Sequence, residues 1–143
     1  MDKLKKIGIV LPKADLILSS IVGTYKLMLS AIDENSAKAE VFILGNSKTK
    51  RFFDDVFQLK TMGHFRGFQD LDLIIVPAIK SDIDEAIEKN KELINWLSQS
   101  YLNGAHVASL CSGAFLLGAS GMLDGKDCTC HWGQADYFQK LFP

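Results

Sequence analysis

The sequence predicts a single α/β domain with a mainly parallel sheet and helices on both faces. Three observations carry that reading. Four short apolar runs, at residues 6–12, 39–45, 71–77 and 105–110, have the length and β-branched character of buried strands. Between and after them lie stretches whose apolar residues recur every three or four positions, the period of a helix with one buried stripe. Strands that alternate with helices join through crossovers, and crossovers make neighbouring strands parallel.

Each element has its own signals. The run 6–12 ends on Pro12, which has no N–H to give to a ladder. Ser19 or Ser20 is then placed to cap a helix carrying Ile21, Tyr25, Met28, Leu29 and Ile32. The strand at 39–45 leads into a polar loop at 46–50, and residues 52–62 read as a small hairpin around Asp54 and Asp55. The run 71–77 is apolar throughout, as expected of a strand covered on both faces. Ser81, Asp84 and Glu85 open the next helix, with Ile83, Ile87, Leu93, Ile94, Trp96, Leu97 and Tyr101 on its apolar side and Gly104 past its end. A fourth strand at 105–110 feeds a helix at 113–119. Leu123-Asp124-Gly125-Lys126 is a turn, residues 128–131 are an extended piece, and Ala135, Phe138 and Leu141 mark a last helix.

A chain of 143 residues is the size of one domain and buries enough surface to fold without staples. Sixteen basic and seventeen acidic residues give a net charge of −1, so the segment carries no electrostatic footprint for DNA or an anionic membrane. The lysines near residues 3–6 and 48–51 read as solvated surface. Three cysteines are too few for a disulfide scaffold, and the apolar run after the charged start is too short for a signal peptide or a membrane span. A reduced, cytoplasmic setting is expected.

Chemistry concentrates at residues 107–117. A strand-like run ends on Cys111, and Ser112-Gly113 lets the chain turn at once into an apolar helix. Such a turn lifts a side chain above the carboxyl edge of a sheet, and only small neighbours permit it. The helix aims its first N–H groups at the sulfur, an arrangement that favours thiolate. Against a reactive thiol stands a cysteine that merely fills a strand end, and the usual glycine two residues before the nucleophile is here Ser109. A thiol nucleophile needs a base, and the choices are His64, His106 and His131. His64 lies in a loop and His106 at the far end of Cys111's own strand. His131 follows an extended piece that, as a parallel strand, would deliver it to the same sheet edge. In a strand Cys128 and Cys130 point to one face and His131 to the other, which argues against a metal site. Trp96 and Trp132 read as core or interface residues.

The stretch 107–117, with Ser120-Gly121-Met122-Leu123-Asp124-Gly125-Lys126 and Thr129-Cys130-His131-Trp132, resembles the ThiJ/PfpI superfamily of class I glutamine amidotransferase-like domains. More narrowly, it is similar to the N-terminal domain of AraC-type transcription regulators. The resemblance extends more loosely to residues 7–12 and 72–77. It implies a flavodoxin-like three-layer fold, with Cys111 and His131 at the catalytic positions and Ser20, Ala78, Ile79, Ser112 and Trp132 beside them around a ligand. Two departures bear on activity. Ser20 stands where the superfamily has a carboxylate, and a serine supplies neither charge nor a proton acceptor near neutral pH. Pro77-Ala78-Ile79 replaces a Pro-Gly-Gly whose N–H groups would face a developing oxyanion.

The resulting expectation is an effector-sensing, non-catalytic domain with a small-molecule pocket around Cys111. It would lack the last elements of the family domain, use no metal or cofactor, form a homodimer, and reach DNA only through a module outside the chain. The alternatives are a cysteine hydrolase, amidase or glyoxalase-type enzyme using Cys111 and His131, and a redox sensor in which Cys111 is oxidised.

Overall fold

The computed structural model describes residues 3–143. Four parallel strands form its sheet: β1 (Lys5–Val10), β2 (Ala39–Leu44), β5 (Leu73–Val76) and β6 (His106–Ser109), in the order β2-β1-β5-β6. The α/β class with a mainly parallel sheet is therefore the one observed. The chain leaves β1 for β2 on one side and later fills β5 and β6 on the other, which makes the gap between the carboxyl ends of β1 and β5 the switch point of the sheet. The central strands carry the heart of the core. Ile9, Val10, Ile74 and Val76 have no exposed surface, and each such side chain contributes about 1.5–3 kcal/mol of burial.

Helix α1 (Leu18–Glu34) packs on β2. It starts before the serines expected to cap it: Ile17 holds the cap position with no side-chain hydrogen bond, and the Ser20 hydroxyl donates back to the Ile17 carbonyl at 2.7 Å. Only Ile21 of α1 is fully buried, while Val22, Leu27 and Leu29 face outward. The hairpin occurs as β3 (Thr49–Phe52) and β4 (Phe57–Lys60), antiparallel, so β3 begins inside the segment expected to be loop. Its turn holds Phe53, Asp54 and Asp55 at positive φ and leaves Phe53, Val56 and Phe57 exposed.

The long helix expected after β5 is two helices, α2 (Ile83–Lys89) and α3 (Lys91–Leu102). Asp82, not Ser81, caps α2, accepting from the Glu85 N–H at 2.9 Å. The break falls at Asn90, a buried side chain with three partners: it accepts from the Lys13 N–H at 2.7 Å and donates to the Lys13 and Ala86 carbonyls at 3.1 and 2.7 Å. Burial of an amide is tolerable only when it is paired in this way. Helix α4 (Ala114–Ala119) buries Phe115 and Leu116 completely and packs against α2 and α3. Helix α5 (Ala135–Leu141) inserts Phe138 edge-on to Phe115, with ring centroids 5.0 Å apart.

Residues 128–131 form no strand. Their neighbours offer too little apolar cover, since Cys128 and Thr129 are exposed and only Cys130 packs against the cluster of Ile83, Ala114, Phe115 and Phe138. The alternation of faces expected for Cys128, Cys130 and His131 does not apply. Trp132 is 86% exposed, so it is no core residue of this chain, whereas Trp96 is half-buried against Phe65 at 5.2 Å.

Candidate functional site

The carboxyl edge of the sheet is where the loops after β1, β5 and β6 meet. After β6, Leu110 keeps extended backbone and Cys111 adopts φ 54°, a left-handed conformation that an L side chain enters only at a cost of about 1–2 kcal/mol. The chain then runs through a 3-10 turn (Cys111–Gly113) into α4. Gly113 is what lets the turn lie so close to β5, because a Cβ there would sit 2.7 Å from the Val76 carbonyl oxygen and 2.6 Å from that of Pro77. The result is an exposed Cys111 side chain on a tight strand-to-helix bend.

The loop after β5 is fully engaged. Ala78 and Ile79 are 2% and 4% exposed, so neither offers side-chain surface to a ligand. The Ala78 N–H donates to the Ser20 hydroxyl at 3.1 Å, and the Ile79 N–H donates to the Ser112 hydroxyl at 2.8 Å. Ser112 in turn donates to the Ile79 carbonyl at 2.6 Å and is only 3% exposed. Residues expected to line a ligand thus serve one another: Ser20, Ala78, Ile79 and Ser112 form an internal hydrogen-bond set.

The same loop is paired with the one after β1. Leu16 and Ile79 form an antiparallel bridge, the Ile17 N–H donates to the Ala78 carbonyl at 3.1 Å and the Lys80 N–H to that of Asp15 at 2.8 Å. The Asp15 N–H adds a bond to the Ser81 hydroxyl at 2.6 Å. Asp15 itself belongs to this pairing.

His131 caps the 3-10 turn Trp132–Gln134, its Nδ1 accepting from the Gly133 N–H at 3.1 Å. That bond engages the Nδ1 lone pair and favours the neutral tautomer with its proton on Nε2. Among the described residues, no hydrogen bond joins His131 to Cys111. The ring stacks on Trp132 at 5.6 Å between centroids. His64 caps a different turn, accepting from the Arg66 N–H at 3.2 Å, and His106 is exposed at the start of β6.

Cys130 is half-buried against the cluster of Ile83, Ala114, Phe115 and Phe138. Burial pushes the Cys130 thiol up, and the charges of Cys128 and Cys111 push it further in the same direction. Among the described residues, no three His, Cys, Asp or Glu side chains are grouped to hold a metal ion.

Two clefts lie away from these residues. One of about 920 Å³ runs between the start of α1 and the hairpin, lined by Ile17, Val22, Phe53 and Phe57 with Lys50, Arg51 and Lys80 among its charged residues. Another, of about 550 Å³, is lined by Lys13, Asp15, Lys50, Asp82, Glu85 and Lys89. Neither is lined by Cys111 or His131.

The family model described as the DJ-1/PfpI family matches residues 67–141. Isonitrile hydratase of Pseudomonas putida is 31% identical over 84 residues, 59% of this chain and 36% of that protein. The HTH-type transcriptional regulator CdhR of Pseudomonas aeruginosa is 35% identical over 51 residues, 36% of this chain and 15% of the regulator. The match therefore spans little more than a third of the one relative's length and about a seventh of the other's. Among solved structures, an AraC family transcriptional regulator from Pseudomonas putida superposes with a TM-score of 0.80 at 19% identity, covering 97% of this chain and 73% of that one. A putative transcriptional regulator protein from Vibrio parahaemolyticus gives 0.86 at 16% identity, covering 99% and 74%.

Proposed function

The chain belongs to the DJ-1/PfpI family, and on that premise we propose that it is an effector-sensing, non-catalytic domain of a transcription regulator, with its ligand contacting Cys111, His131 and Trp132. The observation that carries this reading is the state of the loop after β5. An oxyanion needs N–H groups free to meet it, and those of Ala78 and Ile79 are spent on the hydroxyls of Ser20 and Ser112. Ser20 supplies no carboxylate, and the His131 Nδ1 is committed to Gly133. An exposed Cys111 thiol and a stacked His131–Trp132 pair still offer a sulfur and two rings to a small molecule. Likeness to regulators supports the sensing role, and a net charge of −1 leaves DNA contact to a module outside this chain. The outward apolar residues of α1 and the hairpin favour a homodimer.

Two measurements test the proposal. Residues 1–143 alone form no salt-sensitive, sequence-specific complex with promoter DNA in a mobility-shift titration, and such a complex overturns the assignment. In a thermal-shift screen of small metabolites, compounds that stabilise the protein lose their effect in Cys111→Ser and Trp132→Ala. Stabilisation untouched by both places the ligand elsewhere.

A second reading, a Cys111-dependent enzyme, draws on the likeness to isonitrile hydratase and on the exposure of Cys111 at its strained bend. Turnover of simple amides, 2-oxoaldehydes or isonitriles that vanishes in Cys111→Ser would establish it in place of the first.

A further inference from the structure

We propose that the cleft between the start of α1 and the β3–β4 hairpin is a separate ligand site that takes a free amphipathic carboxylate, its tail laid on Val22, Phe53 and Phe57 and its head met by Lys50 and Lys80. The inference does not rest on the effector reading, since neither Cys111 nor His131 lines this cleft.

The apolar walls come from two elements remote in sequence. Leu18 and Val22 are one turn apart on α1, and the hairpin supplies Phe52, Phe53 and Phe57. Val22, Phe53 and Phe57 are 48%, 66% and 54% exposed, so the chain by itself leaves this surface to water. Phe53 and Phe57 meet edge to face, with ring centroids 6.0 Å apart. The turn that carries Phe53 is strained: Phe53, Asp54 and Asp55 hold φ of 53, 50 and 68°, left-handed backbone that L side chains enter only at a cost. Strain of this kind clusters at ligand clamps. At about 920 Å³ the cleft also falls within the range of small-molecule sites, about 300–1,000 Å³.

Charge selects the ligand's head. Lys50, Arg51 and Lys80 line the cleft against a single acid, Asp15. Arg51 is already paired with Asp55 at 3.1 Å. Among the described residues, neither Lys50 nor Lys80 takes part in a salt bridge. The part-buried Lys50 ammonium donates to the Ala14 carbonyl at 2.6 Å, which uses one of its three N–H donors. Burial pushes its pKa down against the opposing pull of Asp15, as for a cation short of a counter-ion. A carboxylate supplies that charge, and a neutral polar head does not. Leu27, Leu29 and Val56 are exposed outside the cleft, so a second copy and this ligand need not compete.

The experiment is isothermal titration of the whole chain with hexanoate, octanoate, decanoate and octanamide. One molecule should bind per chain, with affinity rising roughly tenfold for each two methylenes, and octanamide should bind roughly tenfold more weakly than octanoate. Lys80→Gln, at an exposed position, should weaken octanoate about fivefold and leave octanamide unchanged. Val22→Ser and Phe53→Gly, the latter suited to left-handed backbone, should weaken both ligands. Cys111→Ser should alter none of these values, which keeps failure here distinct from failure of the effector reading. Equal affinity for octanoate and octanamide overturns the proposal, as does binding that survives both Val22→Ser and Phe53→Gly or is lost in Cys111→Ser. Absence of binding overturns it too, and a dimer in sedimentation that Phe53→Gly dissociates would then make a second copy the occupant.

Discussion

The Ser112 hydroxyl is bonded to both polar groups of Ile79, accepting from its N–H at 2.8 Å and donating to its carbonyl at 2.6 Å. The contact is buried, so neither group has water to fall back on. Ser112→Ala should cost about 2–4 kcal/mol, one to two buried unsatisfied groups. Ser20→Ala frees the Ala78 N–H at a part-buried site, while the Ile17 carbonyl that loses the hydroxyl keeps the Ser20 N–H, so it should cost about 1 kcal/mol. Urea unfolding of the two variants gives the comparison, and equal losses would deny Ser112 its special position.

Two glycine-to-alanine changes should act with opposite sign. At Gly113 the added methyl meets the Val76 and Pro77 carbonyl oxygens inside 3 Å, and backbone cannot move aside cheaply, so a loss of about 2–3 kcal/mol is expected. At Gly23, inside α1, an added Cβ meets nothing within 4 Å. Gly23→Ala should therefore stabilise by about 0.5–1 kcal/mol through helix propensity. Thermal melts of both variants decide the signs.

Asn90 joins the loop after β1 to the junction of α2 and α3 through three hydrogen bonds. Asn90→Ala should cost about 3 kcal/mol. Asn90→Asp keeps the acceptor for the Lys13 N–H but opposes a carboxylate to the Lys13 and Ala86 carbonyls, so it should rescue little of that loss. Recovery of wild-type stability by the aspartate would show that the two donated bonds contribute nothing.

Acid should loosen the amino ends of the strands. Asp72 accepts from the Lys5 ammonium at 2.8 Å and from the Lys6 N–H at 2.9 Å, and these bonds hold its carboxyl below the ordinary range. A depressed folded-state pKa contributes stability that is complete above the unfolded value, near 3.9 for an aspartate, and is lost as pH falls through the folded one. Asp72→Asn should flatten the decline of stability with pH below about 4 and leave the slope between pH 6 and 8 unchanged. An unaltered acid limb would remove Asp72 from the account.

The sheet was legible because its strands are continuous apolar runs, and the bend at Cys111 because small residues stand just after a cysteine at the end of one. The Asn90 break was not legible, because a polar residue among Ile87, Leu93 and Ile94 looks like an exposed position of one long helix. Two of its three hydrogen bonds go to Lys13, seventy-seven residues away. Nor was the fate of 128–131, where strand character depends on a neighbour that could cover it. Ser20 was recognised as a missing carboxylate, but its bond to the Ala78 N–H, like that of Ser112 to Ile79, joins loops remote in sequence.

The pairing of Leu16 with Ile79 divides the carboxyl edge into two materials. On one side, the loops after β1 and β5 are knitted by backbone bonds into a wall that does not yield. On the other, residues 127–131 carry no such bonds through their N–H groups and can conform. The chain thus sets a rigid wall beside a segment that is compliant. Any displacement therefore falls to the pliant segment, and that segment leads through the turn Trp132–Gln134 directly into α5.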